Sequence, residues 1–247
     1  MNAPLKTVKS NVSRFDEDVR RTGSYAYTAE KLSSRYANDR ISESIAAVYP
    51  FASKRVLDLG CGDGTYTMEF PALGVREILG IDPAKVAVES ANRKAAEAGL
   101  DSQVRFKVGN IYEPETLLED GRFDCVVLRG VLHHLPDPAK AIQCAASLAD
   151  TIIILEPNGC NPVLKLLERF SRYHVEHEEQ SFLPGTISSW LGAAKFRVQT
   201  MHHLNLVPMF CPDWMARLCK SVEPVVEKVP LLRQIACGQC IILATKA

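Results

Sequence analysis

The sequence has no surplus of either charge. Lysine plus arginine and aspartate plus glutamate number 29 each in 247 residues, a formal net charge of zero. A neutral chain exerts no bulk pull on a polyanion, so the composition predicts no nucleic-acid partner. Long apolar runs are missing as well. No stretch of about 18 apolar residues occurs, so no membrane-spanning helix is predicted. Residues 1–10 lack the apolar core of a secretory leader. There is no internal repeat and no low-complexity segment. Of the eight cysteines, at 61, 125, 144, 160, 211, 219, 237 and 240, only Cys237 and Cys240 form a C-x-x-C, and no second pair accompanies it. Structural zinc needs four ligands at paired spacings, so no metal is predicted. Most of the cysteines sit inside apolar runs, as in Asp124-Cys125-Val126-Val127. They read as small buried hydrophobes in reduced form, which suits a cytoplasmic protein.

What is present is an alternating text. The length and a hydrophobic share of 47% suit one domain that buries a sheet between two helical layers. A polar arm over 1–27 precedes a helical pattern over 28–48, in which Leu32, Tyr36, Ile41, Ile45 and Val48 recur at three-to-five-residue spacing and Pro50 stops it. Short apolar runs at 55–59, 77–81, 104–108, 123–128 and 151–155 then read as strands. Helices are predicted after the first run from Thr65, over 82–98, and over 137–149. Strands of this kind alternating with helices predict a parallel sheet covered on both faces. After Glu156-Pro157-Asn158 the pattern loosens. Helices at 162–170 and 184–193, a strand at 196–200, proline-broken helices within 204–233 and a last strand at 240–244 are predicted. The chain divides into an arm and cap helix at 1–50 and a domain at 51–247. The domain has a cofactor half, 51–157, and an acceptor-side half, 158–247.

The segment that carries chemistry is Val56-Leu57-Asp58-Leu59-Gly60-Cys61-Gly62-Asp63-Gly64-Thr65. A strand runs into D-x-G-x-G-x-G. Glycines permit a tight turn and let a ligand lie against the backbone, and open α/β sheets bind ligands at this edge. Asp82 stands 22 residues after Gly60, at the end of the second strand, where an acid accepts from ribose hydroxyls. A nucleoside-bearing cofactor follows. Dinucleotide folds use G-x-G-x-x-G and offer helix amides to a pyrophosphate. Here the spacing differs, and Asp58 and Asp63 flank the turn. Fixed negative charge repels pyrophosphate and suits an ammonium or a sulfonium.

This segment resembles motif I of the class I S-adenosylmethionine-dependent methyltransferases. Gly109-Asn110-Ile111 resembles the loop that meets the adenine. The stretch from Phe123 through Arg129-Gly130-Val131-Leu132-His133-His134-Leu135-Pro136-Asp137 is similar to motif IV of the small-molecule branch, which includes the ubiquinone and menaquinone C-methyltransferases. The match is good over 50–157 and holds in outline beyond. The resemblance implies a Rossmann-like three-layer α/β sandwich, with a mostly parallel seven-stranded sheet, an antiparallel last strand between the fifth and sixth, and an N-terminal helical cap. It implies S-adenosylmethionine as cofactor, S-adenosylhomocysteine as product, and a small-molecule acceptor. Asp58, Gly60, Cys61 and Gly62 would line the methionine end. Asp82 would hold the ribose, with Pro83 beside the adenine and Asn110 and Ile111 over it. Arg129 and Gly130 would lie under the methionine portion. Arg129 departs from the small or neutral residue common in relatives. It would bind the methionine carboxylate or reach an acidic acceptor.

Other readings stand beside these. Asp82-Pro83 also fits a helix cap with proline in the first turn. His133-His134 is either a loop pair packed on Leu132 and Leu135, or it supplies His134 as a general base where the acceptor must lose a proton. His174 and His177, in an acidic stretch, supply too few ligands for a metal. Phe210, Trp214 and Met215 belong either to ordinary core or to the roof of an apolar acceptor pocket, to which the arm would add Tyr25 and Tyr27. A non-catalytic S-adenosylmethionine-binding protein and a nicotinamide-dependent oxidoreductase are the competing functions. A nucleic-acid methyltransferase is disfavoured, since no [D/N]-P-P-[Y/F] tetrapeptide follows the fourth strand. The acceptor, the methylated atom and the oligomeric state stay open.

Overall fold

The computed structural model of the protein describes residues 31–170 and 180–247. The arm over 1–27 with Tyr25 and Tyr27, and the stretch carrying His174, Glu176 and His177, lie outside the described residues.

Five apolar runs form β1 (Arg55–Leu59), β2 (Glu77–Asp82), β3 (Val104–Val108), β4 (Cys125–Arg129) and β5 (Thr151–Pro157), each parallel to its neighbours in this group. With β6 (Phe196–Leu204) and β7 (Gln239–Lys246) they make a seven-stranded sheet in the order β3-β2-β1-β4-β5-β7-β6. β7 runs antiparallel to β5 and to β6, so the last strand does insert between the fifth and sixth. The helices are α1 (Leu32–Val48), α2 (Lys85–Glu97), α3 (Pro114–Leu118), α4 (Pro138–Leu148), α5 (Pro162–Phe170), α6 (Pro184–Ala193), α7 (Asp213–Lys228) and α8 (Pro230–Ala236).

Side chains alternate across a strand, so each buried strand feeds two cores. Leu57, Leu59, Val126, Leu128, Ile152 and Ile154 pack under α4 and α6. Val56, Ile78, Cys125, Val127, Ile153 and Leu155 pack on the other face, beneath α1 and α2. The same period places Asp58, Asp82 and Arg129 on the α1 face, since they continue the rows Val56, Ile78–Gly80 and Cys125–Val127. Gly80 makes this possible. A methyl there would stand 2.5 Å from Phe106 Cδ1 and 2.9 Å from Cys61 Sγ, so the gap holds both the β3 ring and the first turn residue after Gly60.

Three local expectations need correction. The glycine turn leads into an irregular turn and then a 3₁₀ segment, Thr67–Leu73, rather than an α-helix from Thr65. Pro71 lies inside it. Proline lacks the N–H an α-turn requires and biases Phe70 away from the α region, so the chain closes i→i+3 bonds such as Glu69 N to Tyr66 O at 3.2 Å. The helix after β2 starts at Lys85, with Ala84 as its cap, so Asp82-Pro83 is no helix cap. Asp82 Oδ1 instead accepts from Ala84 N at 2.9 Å. β6 continues to Leu204 and takes in His202 and His203, with an irregularity between Val198 and Thr200. By contrast, the helix from Pro138 has the expected start, because the Asp137 side chain accepts from Lys140 N at 3.0 Å.

Strands β1 to β6 all end on one edge of the sheet, and β7 starts there and runs the other way. The glycine turn, the β4 loop, α5, and the α7–α8 insert between β6 and β7 all gather there. Among the described residues, no helix is long and apolar enough to cross a membrane. Replacing Gly80 with Ala should overpack this side of the sheet. We expect a loss of about 1–3 kcal/mol in urea unfolding, and an unchanged midpoint would mean that Phe106 and Cys61 yield the space freely.

Candidate active site

The glycine turn is built by backbone geometry that most residues resist. Gly60, Gly62 and Gly64 have φ of +81°, +55° and +75°. Gly60 N and Cys61 N both donate to Ile81 O, at 2.7 and 3.1 Å, which ties the turn across the end of β2. A side chain at Gly60 would collide with Val131, which presses on the turn from the β4 loop.

Two carboxylates meet this turn. Asp58, on β1, is buried, and its Oδ2 accepts from Thr67 Oγ1 at 2.6 Å. Burial pushes its pKa up to about 6, against the pull of the Thr67 hydroxyl and the Arg129 guanidinium, while Asp82 adds to the rise. Asp82, at the end of β2, takes Gly62 N on Oδ2 and Ala84 N on Oδ1, each at 2.9 Å. Burial, with the charges of Asp82 and Asp58 adding to it, holds the Cys61 thiol well above its ordinary value. Asp63 has another duty. It is buried and paired with Lys94 Nζ of α2 at 2.7 Å, so its charge is neutralised within the protein. The fixed negative charge at the turn therefore comes from Asp58 and Asp82.

Arg129 closes the α1 side. Its guanidinium lies 3.6 Å over the Tyr66 ring, donates to Ser42 Oγ at 3.0 Å and to Asn38 Oδ1 at 3.5 Å, and stands 3.7 Å from Glu69. Burial lowers its pKa and raises that of Tyr66 to about 12. The expected choice between a ligand carboxylate and an acidic acceptor omitted these partners. They come from α1 and the 3₁₀ segment, distant in sequence.

Gly130 has φ +66° and donates its N–H to Leu155 O at 2.8 Å. Pro83 is exposed beside Asp82. Asn110 is half-buried, its Oδ1 accepting from Tyr112 N at 3.1 Å. Ile111 is buried in the core with Leu79 and Ile81. The turn, Asp58, Asp82 and Arg129 thus come together at one edge, and the 109–111 loop borders it at the end of β3.

The residue that sequence reasoning missed is Glu156. It is fully buried at the end of β5. Oε1 accepts from Val131 N at 2.8 Å and Leu132 N at 2.7 Å, and Oε2 accepts from His133 N at 3.3 Å. Oε2 also meets His133 Nδ1 at 2.7 Å. The His134 ring packs against that of His133, with centroids 3.9 Å apart and planes tilted by 44°. A charged residue closing an apolar strand was the available signal, since acids are rarely buried without partners. Trp214, expected in the core or a pocket roof, is turned outward instead.

Comparisons with known proteins give the family. The family described as Methyltransferase domain matches residues 50–207. The chain belongs to that family. It is an S-adenosylmethionine-dependent methyltransferase on a Rossmann-like fold. The ubiquinone biosynthesis O-methyltransferase of Actinobacillus pleuropneumoniae serotype 7 is 27% identical over 181 residues, 66% of this chain and 74% of its own length. The 27-O-demethylrifamycin SV methyltransferase of Amycolatopsis mediterranei is 29% identical over 140 residues, 53% of this chain and 51% of its own. Among solved structures, magnesium protoporphyrin IX methyltransferase from Synechocystis PCC 6803 with bound S-adenosylmethionine superposes with a TM-score of 0.65 over 100% of both chains at 18% identity. The (4+2)-cyclase SpnF gives 0.68 over 100% of this chain and 98% of its own, also at 18% identity. The fold alone therefore does not name the reaction.

Asp58 makes stability depend on pH in a definite sense. Its folded pKa, about 6, lies above the usual value of about 3.9 for an unfolded chain. Below both values the group is protonated in either state and its full contribution is present. As pH rises from about 4 through about 6, the unfolded chain releases the proton first, and stability falls. In cofactor-free protein, Asp58→Asn should remove up to about 3 kcal/mol of that decline between pH 4 and 7. Parallel pH profiles for the two proteins in urea unfolding would contradict it.

Proposed function

We propose that this methyltransferase transfers the methyl group of S-adenosylmethionine to a hydroxyl of an apolar or aromatic small molecule. The observation that carries the reading is the pair Asp58 and Asp82, at adjacent strand ends on either side of a positive-φ glycine turn. The donor set fits the cofactor. An ammonium and a sulfonium suit the acid-lined turn, and an ionised carboxylate offers about four acceptor positions, so a ribose diol can share Asp82 with its two backbone amides. Gly60, Cys61 and Gly62 would lie along the methionine end and Gly130 beneath it. Pro83, Asn110 and Ile111 would border the adenine. Arg129, held by Tyr66 and α1, would set the far wall. We assign 51–157 to cofactor binding and 158–247 to the acceptor.

When bound, S-adenosylmethionine supplies a methyl carbon already activated by its sulfonium. The protein's part is then alignment, exclusion of water and, for a hydroxyl acceptor, removal of one proton. His134 suits that last role. It sits in the loop after β4 at the ligand edge, packed at a tilt against a His133 that Glu156 fixes from below. The acceptor O–H proton would pass to its imidazole and then to solvent. Oxygen as the acceptor atom is supported by the names of the ubiquinone and rifamycin relatives. Those names and that of the magnesium protoporphyrin IX enzyme also support an apolar acceptor. Eight free cysteines support a reducing, cytoplasmic setting, and the zero net charge supports a partner other than nucleic acid.

Calorimetry tests the cofactor assignment. S-adenosylmethionine and S-adenosylhomocysteine should bind and NAD should not. Asp82→Ala should weaken binding roughly tenfold to a hundredfold, because charge-assisted hydrogen bonds worth about 1.5–3 kcal/mol are lost. Normal affinity in that variant would remove Asp82 from the site.

A second expectation concerns His134. Once an acceptor is in hand, His134→Ala should slow single-turnover methyl transfer about a hundredfold or more while cofactor affinity changes little. An unchanged rate would return His134 to a packing role.

A further inference from the structure

All but Val108 and Leu118 of the exposed large hydrophobic side chains among the described residues lie between Val163 and Ile235. They are concentrated on α5, α7 and α8, the elements of the acceptor-side half that meet the ligand edge. On α7, Trp214, Leu218, Val222 and Val225 recur at four, four and three residues, and Val229 extends the row. That spacing lays them along one stripe of the helix. The exposures are large: 68% for Trp214, 65% for Val225, and 77% for Leu231 on α8. α5 repeats the pattern with Val163, Leu166 and Leu167. The segments are joined, because Asn158 Nδ2 donates to Gln234 O at 2.8 Å and Asn161 Nδ2 to Ala236 O at 3.1 Å.

The charges on α7 are sorted. Its acids face inward: Glu223 accepts from Leu206 N and pairs with Lys220, and Glu227 accepts from Asn205 N and pairs with Arg40. Outward, apart from Asp213 at the first position, the exposed ionic side chains are Arg217 and Lys228. Eleven residues separate them, close to three turns, so both flank the same edge of the apolar stripe. A second copy is poorly suited to this surface. A two-fold axis pairing the stripe antiparallel with itself would set each Arg217–Lys228 edge against its own copy, like charge on like. A Trp- and Leu-bearing stripe flanked by Arg and Lys is instead the pattern of a helix lying in a bilayer interface beside anionic headgroups.

We propose that α7, continued by α8 and α5, docks the enzyme on an anionic lipid surface, so that its acceptor is taken from the membrane at the ligand edge. The proposal rests on the apolar-acceptor reading for what docking delivers, but not for docking itself. Local sorting of charge, not net charge, attracts the surface.

The test uses the full chain with Trp190→Phe, which leaves Trp214 as the reporter. Vesicles of phosphatidylcholine mixed with phosphatidylglycerol should sediment with the protein and shift Trp214 emission to the blue. Vesicles of phosphatidylcholine alone should bind it less. Leu218→Asp with Val225→Asp should weaken partitioning roughly tenfold or more, while S-adenosylhomocysteine affinity and melting temperature hold. Arg217→Glu with Lys228→Glu should remove the preference for the anionic vesicles. The proposal is overturned if neither vesicle binds, or if the Leu218 and Val225 changes leave partitioning intact. It is also overturned if Trp214 is shielded in a lipid-free dimer that vesicles do not dissociate. No acceptor is needed, so failure here leaves the methyl-transfer reading untouched, and failure of an apolar acceptor to react leaves vesicle binding untouched.

Discussion

Glu156 stands with no solvent exposure at the end of β5, and both of its oxygens are engaged by the loop that leaves β4. Three consecutive amides and one imidazole converge on it. Buried donors left unpaired cost about 1–3 kcal/mol each, so the loop has little freedom to adopt another path while the carboxylate is there. That path decides where Val131 goes, and Val131 is the side chain pressed against Gly60. On its other side, the turn is stitched to Ile81 O and to Asp82. The glycine turn is thus gripped between the ends of β2 and β4. The second grip traces back to an acid almost a hundred residues downstream in the chain.

The electrostatics of the edge follow from which acids have internal partners. Asp63 is neutralised by Lys94, and Glu69 stands near Arg129 on the rim. Asp58 has a hydroxyl donor and a distant guanidinium, too little to offset its burial, so its proton is held to about pH 6. A cation placed nearby would draw that proton off and gain from doing so. The turn is therefore a place where incoming positive charge relieves a desolvated group, an arrangement opposite to the amide-lined cradle of a pyrophosphate.

Most of the fold is legible in the sequence because it depends on local pattern. Five apolar runs of strand length mark β1 to β5, Asp137-Pro138 marks the start of α4, and the runs at 162–170 and 184–193 match α5 and α6. Pro71 is a readable sign against an α-helix after the turn. The site divides the same way. The positions of Asp58, Asp82 and the glycines follow from strand ends and turn chemistry. The hold of Glu156 on the β4 loop, the Lys94 partner of Asp63, and the seating of Arg129 on Tyr66, Asn38 and Ser42 join segments 23 to 91 residues apart. No local period records such contacts. The outward stripe of α7 had the signature of any amphipathic helix, and only the packed chain shows which side the sheet covers.

Helix α1 has partners of two kinds. Asn38 and Ser42 hold the Arg129 guanidinium beside Tyr66, while Arg40 bonds Glu227 of α7 through three contacts between 2.6 and 3.2 Å. Ser33 and Ser34 reach Met209 O at 2.8 and 2.9 Å. A continuous helix of 17 residues transmits displacement along its length instead of absorbing it. A tilt of the insert on one flank would therefore be felt at the Arg129 guanidinium on the other. Contacts that span 187 residues of chain, from Arg40 to Glu227, and 87 residues, from Ser42 to Arg129, thus share one helix as their common support.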